Sequence, residues 1–268
     1  MEDRIISLLT DFGDSPYVGS MKGVIMKVNP SAHIIDITHS IRRGDIREAA
    51  FSLFMAYRYF PEFSIHVVVV DPTVGSERRP IIVVTEKYYF VGPDNGVFSY
   101  IYKYDEVYKV VEISEEHFFN EKVSNTFHGR DIFGPVAGWM SKGIDTSKFG
   151  EVIGDYKYFE ISDPQIIKPG ALKGKIIYVD RFGNLITNIT ERHIPLTEKG
   201  YPDIVKVITS SGEITARYRY YSESPNNEDP FFIMGSSGFY EIAVNGRSAR
   251  EKLKLKIGSE IGVLYNPR

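Results

Sequence analysis

Apolar positions in the first part of the chain follow two alternating periods. Ile5 to Leu9 is a short apolar run that stops at a turn-rich stretch, Asp11 to Pro16, and Tyr17 to Val28 then carries its apolar residues at helical spacing. That order predicts strand, loop, helix. His33 to Ile37 reads as a second strand. Asp45 to Tyr59 reads as an amphipathic helix, with Ala49, Ala50, Leu53, Phe54 and Tyr57 spaced to share one face. Ser64 to Val70 is a continuous, largely β-branched run of the kind a strand needs when both its faces are covered, and Arg79 to Thr85 and Tyr88 to Val91 add two strands around a turn. The predicted solution is an α/β domain whose mostly parallel central sheet is covered by helices.

The pattern changes after Asp163. Pro164, Pro169 and Gly170 punctuate a linker, and beyond it come strand-like segments at Lys173 to Asp180, Ile204 to Thr209, Phe231 to Met234 and Phe239 to Val244, with almost no helical periodicity. A smaller all-β, barrel-like domain is expected over 166–268, after the α/β domain over 1–165. The polar stretch from Arg219 to Asp229 reads as an exposed loop.

Composition narrows the chemistry. Hydrophobic residues make up 43% and charged residues 25% of the 268 positions, enough apolar material for one large core or two smaller ones. No run of about 18 apolar residues occurs, and the start, MEDRIISLLTDFGD, is charged where a signal peptide would be apolar, so a cytoplasmic protein without a membrane partner is expected. There is no cysteine, which excludes disulfides, thiolate metal sites and cysteine nucleophiles together. A net charge of -3 argues against a nucleic-acid partner, and the basic stretch from Arg247 to Lys256 reads as a solvated helix or loop leading into a strand.

Five blocks place reactive side chains at turns. Asp11 ends the first strand, where an α/β sheet offers its ligand crevice; it suits a ribose diol or a metal, or a capping role. Gly13, Gly19 and Gly23 are spaced wrongly for a dinucleotide fingerprint, so no nicotinamide cofactor is expected. In VVVVDPTVGSERR, Asp71 follows a buried strand, and the loop can fold Arg78 or Arg79 back toward it. In NTFHGRDIFGP, His128 is of the one side-chain type that titrates near neutral pH without help, and Gly129 beside it would let a ligand approach the backbone, although on spacing alone a structural histidine is the better reading. The histidines of HIIDITH do not read as a metal site, because strand alternation turns Asp36 away from His33 and His39. In the second half, Asp180, Phe182 and Asn184 lie in DRFGNLITN, and Ser236, Ser237 and Asn245 in GSSGFYEIAVNG; such turns suit adenine and carboxylate recognition, or plain hairpins.

Taken in order, TDFG, HSIRRGDI, DPTVG with its two arginines, GPDNG, TFHGRD, DRFGN with TN, and SSG resemble the S-adenosylmethionine hydrolases (S-adenosylmethionine hydroxide adenosyltransferases), the family related to the fluorinase and chlorinase. The halogenating branch has tyrosines at the positions matching Asp71 and His128 and a halide-holding serine matching Gly129, so this chain lacks the halide pocket. The resemblance implies a catalytic triad of Asp71, Arg78 and His128 that delivers water to the ribose 5′ carbon, giving adenosine and methionine. It further implies that Asp11 holds the ribose hydroxyls, Asp180 the methionine ammonium, and Ser236 and Ser237 the carboxylate, the halogenase having an arginine where Ser237 stands. Asn184 would read an adenine edge, Phe182 would stack on the base, and Asn245 would complete the substrate contacts. No metal and no cofactor are implied, the S-adenosylmethionine being substrate, and the family assembles as a homotrimer with active sites at subunit interfaces. Two other functions fit the same residues. One is a metal-dependent nucleotide hydrolase built on Asp11, Asp71 and His128; the other is a non-catalytic adenosine or S-adenosylmethionine binding protein.

Overall fold

The computed structural model describes residues 5–225 and 228–266, and the chain packs as two compact units, Met1–Ile161 and Ser162–Arg268. The first unit begins β1 (Ile5–Thr10), α1 (Pro16–Val28), β2 (His33–Thr38), α2 (Ile46–Ala56), β3 (Ile65–Val69). It continues β4 (Pro80–Thr85), β5 (Tyr89–Pro93), α3 (Ser99–Tyr104), β6 (Val107–Glu112), a π-helical turn over Gly129–Phe133, α4 (Gly134–Ser141) and β7 (Val152–Ile153). Asp45 starts α2 by accepting from the Glu48 backbone N–H at 2.9 Å, which satisfies one of the donors a helix leaves open at its first turn.

These strands form one sheet in the order β2-β1-β3-β5-β4-β6-β7. The β2, β1, β3 and β5 strands pair in parallel, β4 runs against β5, and β6 runs against β4, so five of the seven strands point one way. The sheet is therefore mixed, with a parallel half where β1 connects through α1 to β2 on one side and lies beside β3 on the other. Alternation along the strands divides the core. Ile6, Leu8, Ile65, Val67 and Val69 join Met21 and Ile25 of α1 and Val136, Ala137 and Met140 of α4 in one cluster. Burying each large side chain there contributes roughly 1.5–3 kcal/mol.

On the opposite face Ser7 and His66 meet, Oγ to Nδ1 at 2.6 Å, with the imidazole among the rings of Tyr57, Phe60, Tyr88 and Phe90. Burial pushes the His66 pKa down to about 3. The native state thus stays unprotonated where the unfolded chain, with a histidine pKa of about 6.5, binds a proton, so stability is lost as pH falls from the unfolded value toward the folded one. Between pH 6.5 and 4 this one group should cost roughly 3 kcal/mol. Wild type should accordingly lose melting temperature on acidification more steeply than His66→Phe; parallel curves would remove His66 as a source of acid lability.

The second unit contains β8 (Gln165–Lys168), β9 (Ala171–Val179), β10 (Leu185–Thr190), β11 (Ile204–Thr209), β12 (Gly212–Ile214), β13 (Pro230–Met234), β14 (Phe239–Val244), α5 (Ala249–Leu253) and β15 (Glu260–Tyr265). Its sheet runs β12-β11-β15-β9-β10-β14-β13, with β8 on β9, and every pairing is antiparallel. The segment after β12 bridges to β13, Phe232 N–H donating to the Ala216 carbonyl at 3.0 Å and Tyr218 N–H to the Phe232 carbonyl at 3.2 Å, which nearly closes a barrel around Leu172, Ile176, Leu185, Val207, Tyr240 and Ile242.

The basic stretch from Arg247 is the short α5, capped by Ser248 through the Glu251 N–H at 3.1 Å, leading toward β15 with its cations outward. Within the polar stretch from Arg219, a 3-10 turn occupies Tyr221–Glu223; Asn226 and Asn227 lie outside the described residues. Among the described residues no helix is long and apolar enough to cross a membrane.

Candidate active site

The carboxyl ends of β1 and β3 lie side by side, Thr10 paired with Val69, at the point where the connections leave β1 in opposite directions. Such a switch point leaves a crevice between the two following loops. Asp11 opens one loop and Asp71 the other. Gly44 joins them, its N–H donating to Asp11 Oδ2 at 2.8 Å while its α-carbon side faces Pro72. His39 steadies the first loop through Thr10 Oγ1 at 2.9 Å and, by its carbonyl, the Gly13 N–H at 2.7 Å. Its Nε2 also lies 3.1 Å from Asp36 Oδ1, so the expected separation of those two side chains does not hold: β2 ends at Thr38 and strand alternation stops before His39. Among the described residues no group of three or more acidic, histidine or cysteine side chains forms a metal cage.

Gly75 brings the Asp71 loop against the segment that carries His128. Its φ is +81°, and a Cβ there would lie 2.2 Å from the Asn125 carbonyl oxygen, so only glycine permits the approach. The result is a three-residue network in which the side chains of Arg78 and Asp71 are buried and His128 is half-buried. Arg78 donates from Nε to Asp71 Oδ2 at 2.7 Å, and its Nη2 lies 2.6 Å from the same oxygen as an ion pair and 2.6 Å from His128 Nδ1. The guanidinium stands 5.3 Å from the Phe133 ring, and its Nη1 is buried without a hydrogen-bond partner among the described residues. A metal bridging Asp71 and His128 would have to displace this cation. Burial lowers the His128 pKa and the Arg78 cation lowers it further, outweighing Asp71, Asp131 and a hydrogen bond to the Ser124 backbone.

Gly129 differs from the expected ligand contact. It is buried at the start of the π-helical turn, where a Cβ would press on Met21 Sδ at 3.1 Å and on Phe127 and Val69 at 3.2 Å, so the glycine lets the turn sit down on α1 and β3. Arg79, the second arginine of its block, points to Asp94 at 2.9 Å and Asp155 at 2.7 Å and is structural. Beside the network Phe12, Tyr17 and Phe127 meet edge to face, with centroids 5.1–5.8 Å apart.

In the second unit Asp180 closes a tight turn, accepting from the N–H groups of Phe182 and Asn184 and, at Oδ2, from Asn184 Nδ2 at 2.9 Å. Phe182 stands 71% exposed at the tip. Ser236 is exposed, and Ser237 Oγ is buried without a partner. Asn245 donates to the Ser224 carbonyl at 3.0 Å and so tethers the loop that bears Tyr221.

Residues 6–150 match the N-terminal domain, and residues 174–262 the C-terminal domain, of the SAM hydroxide adenosyltransferases. The chain belongs to this family. It is similar to the (R)-S-adenosyl-L-methionine hydrolase of Methanocaldococcus jannaschii, 37% identical over 97% of this chain and 96% of that protein, and to that of Thermus thermophilus, 30% identical over 97% and 100%. The crystal structure of an uncharacterized conserved protein from Thermotoga maritima aligns with a TM-score of 0.88 and 34% identity, over 97% of this chain and 99% of that one.

The Asp71, Arg78 and His128 network and Asp11 fall within the N-terminal match, and Asp180 to Asn245 within the C-terminal one. Two residues escaped the sequence. Asp131, fully buried, accepts from Arg130 Nε at 2.7 Å and from Ser124 N–H and Oγ at 2.8 and 2.7 Å. Burial alone would raise its pKa, but these bonds, with Asn120, bring it down to about 2. Glu241 is buried in β14, takes the Tyr221 hydroxyl at 3.0 Å, and is pushed up to about 7 by burial and by the charge of Asp180, against the Tyr221 bond. A lone acid in the apolar run FYEIAV was the available signal.

Proposed function

We propose that this protein hydrolyses S-adenosyl-L-methionine to adenosine and L-methionine, by attack of a water or hydroxide oxygen on the ribose 5′ carbon. The observation that carries the proposal is the buried Arg78, fixed between Asp71 and His128 with Nη1 left over. A permanently protonated donor in a low-dielectric pocket stabilises a hydroxide-like oxygen far more than it would in water. The sulfonium makes methionine a neutral leaving group, so positioning the oxygen in line with the C5′ to sulfur bond and excluding bulk water supply most of the catalysis. Similarity to proteins named (R)-S-adenosyl-L-methionine hydrolase supports the choice of substrate.

Asp11, at the mouth of the same crevice, would hold the ribose hydroxyls. Asp180 would take the methionine ammonium, Ser236 and Ser237 its carboxylate, Asn184 and Asn245 polar edges of the substrate, and the exposed Phe182 ring the adenine face. By family resemblance the working form is a cytoplasmic homotrimer with active sites at subunit interfaces, needing no metal or cofactor. The experiment is incubation of chelator-treated protein with S-adenosylmethionine in oxygen-18 water. Adenosine labelled at its 5′ oxygen is expected; saturable binding without product would establish a binding protein, and activity only after metal addition a metal-dependent hydrolase.

A further inference from the structure

We infer that Asp71 is the group that takes the proton from the attacking water, and that His128 is a positioning residue that holds Arg78 without changing charge. This rests on the hydrolase function proposed above. A guanidinium has donors only, so the 2.6 Å contact from Arg78 Nη2 requires an unprotonated lone pair on His128 Nδ1. The neutral ring then carries its proton on Nε2. With its one lone pair on Nδ1 engaged by Arg78 and its proton on Nε2, the neutral ring has no acceptor free for a water proton. The segment leading to His128 is held at Ser124 by buried Asp131 through two hydrogen bonds. Protonating Nδ1 would set one N–H against another beside a cation. The charged groups acting on the ring are Arg78, Asp71 and Asp131, and Asp131 is neutralised by Arg130.

Asp71 has the opposite character. Its Oδ2 faces the arginine, accepting from Nε with Nη2 2.6 Å away, while Oδ1 receives, among the described residues, only a long 3.3 Å contact from Thr73 Oγ1 and keeps lone pairs available. In the reaction an oxygen lone pair of water forms the bond to C5′, and the C5′ to sulfur pair leaves on sulfur as the neutral thioether of methionine. The positive charge of the sulfonium would pass to that oxygen, beside Arg78, so a proton must leave the water as the bond forms and the oxygen stays hydroxide-like. A protonated alcohol is a far stronger acid than a carboxylic acid, so a carboxylate suffices to accept the proton, which Asp71 then releases to solvent, one per turnover. Arg78 Nη1 supplies the donor that holds the oxygen as it attacks.

The test is kcat/KM for S-adenosylmethionine from about pH 5.5 to 8 in wild type, His128→Asn and Asp71→Asn, with affinity by calorimetry and folding by thermal melting. Asparagine keeps an acceptor for Arg78 at the Nδ1 position but cannot serve as a base. Wild type should show no ionisation in that range; His128→Asn should lose roughly 3- to 10-fold in kcat with the same profile; Asp71→Asn should lose about 10²-fold or more at similar affinity. A wild-type limb in that range that disappears in His128→Asn, or a loss in His128→Asn as deep as in Asp71→Asn, overturns the assignment, and should the variant fail to fold, any enzyme limb in the wild-type profile over that range overturns it. Should wild type form no adenosine at all, the hydrolase function itself fails and the assignment falls with it.

Discussion

Arg78→Lys is expected to lower kcat roughly 10²- to 10³-fold while S-adenosylmethionine affinity changes by less than about threefold. Lysine preserves the buried positive charge, so Asp71 is not left as an uncompensated carboxylate, the outcome that would unfold the loop. It does not preserve the fork. Arg78 reaches Asp71 from Nε and Nη2, reaches His128 from Nη2, and still has Nη1 for the reacting oxygen. A single ammonium on a flexible stem cannot hold three directions at once. Steady-state kinetics with calorimetric binding distinguishes the cases: a variant within tenfold of wild type would mean that the charge alone matters and that the fixed Nη1 donor is not part of catalysis.

Gly75→Ala should damage both stability and turnover. The new Cβ would sit 2.2 Å from the Asn125 carbonyl oxygen at a φ of +81°, so either the Asp71 loop or the Asn125 segment must withdraw. Positive φ costs a non-glycine residue about 1 kcal/mol, and relieving the overlap costs about 1–3 more. For a protein of this size that is a fall in melting temperature of roughly 5 °C or more. Because Asn125 leads directly into His128, the Arg78 to His128 contact opens with it, and kcat should drop at least about tenfold. Calorimetry and kinetics on the same preparation check this, and unchanged turnover at a lowered melting temperature would separate loop packing from the catalytic geometry.

Much of the architecture could be read from periodicity. The continuous apolar run of β3 announced a strand covered on both faces, and Ile65–Val69 is buried throughout. Elements without a clean period were missed. In β10, Leu185–Thr190 is split by polar residues whose side chains are satisfied inside the barrel, Thr187 by the Tyr240 carbonyl at 2.8 Å and Asn188 by the Ser162 carbonyl at 2.9 Å. The helix α4 follows a π-helical turn and is buried over nearly all its length, so it shows no polar face to betray it. Asp36 and His39 were set on opposite faces by an alternation that the end of β2 cuts short.

The sequence by itself determined the chemistry available: oxygen and nitrogen groups without thiols, carboxylates at the ends of buried strands, one histidine in a glycine-bearing loop, and a motif order that resembles one family. Tertiary structure decided what those groups do to one another. That Arg78 stands between Asp71 and His128, that Arg79 turns away to Asp94 and Asp155, and that Gly129 serves packing all depend on loops from different strands meeting. Spacing within one segment fixes which face a side chain leaves from, but the partner it finds across the crevice is set by the register of parallel strands and by close approaches such as Gly75 on Asn125, which long-range packing alone specifies.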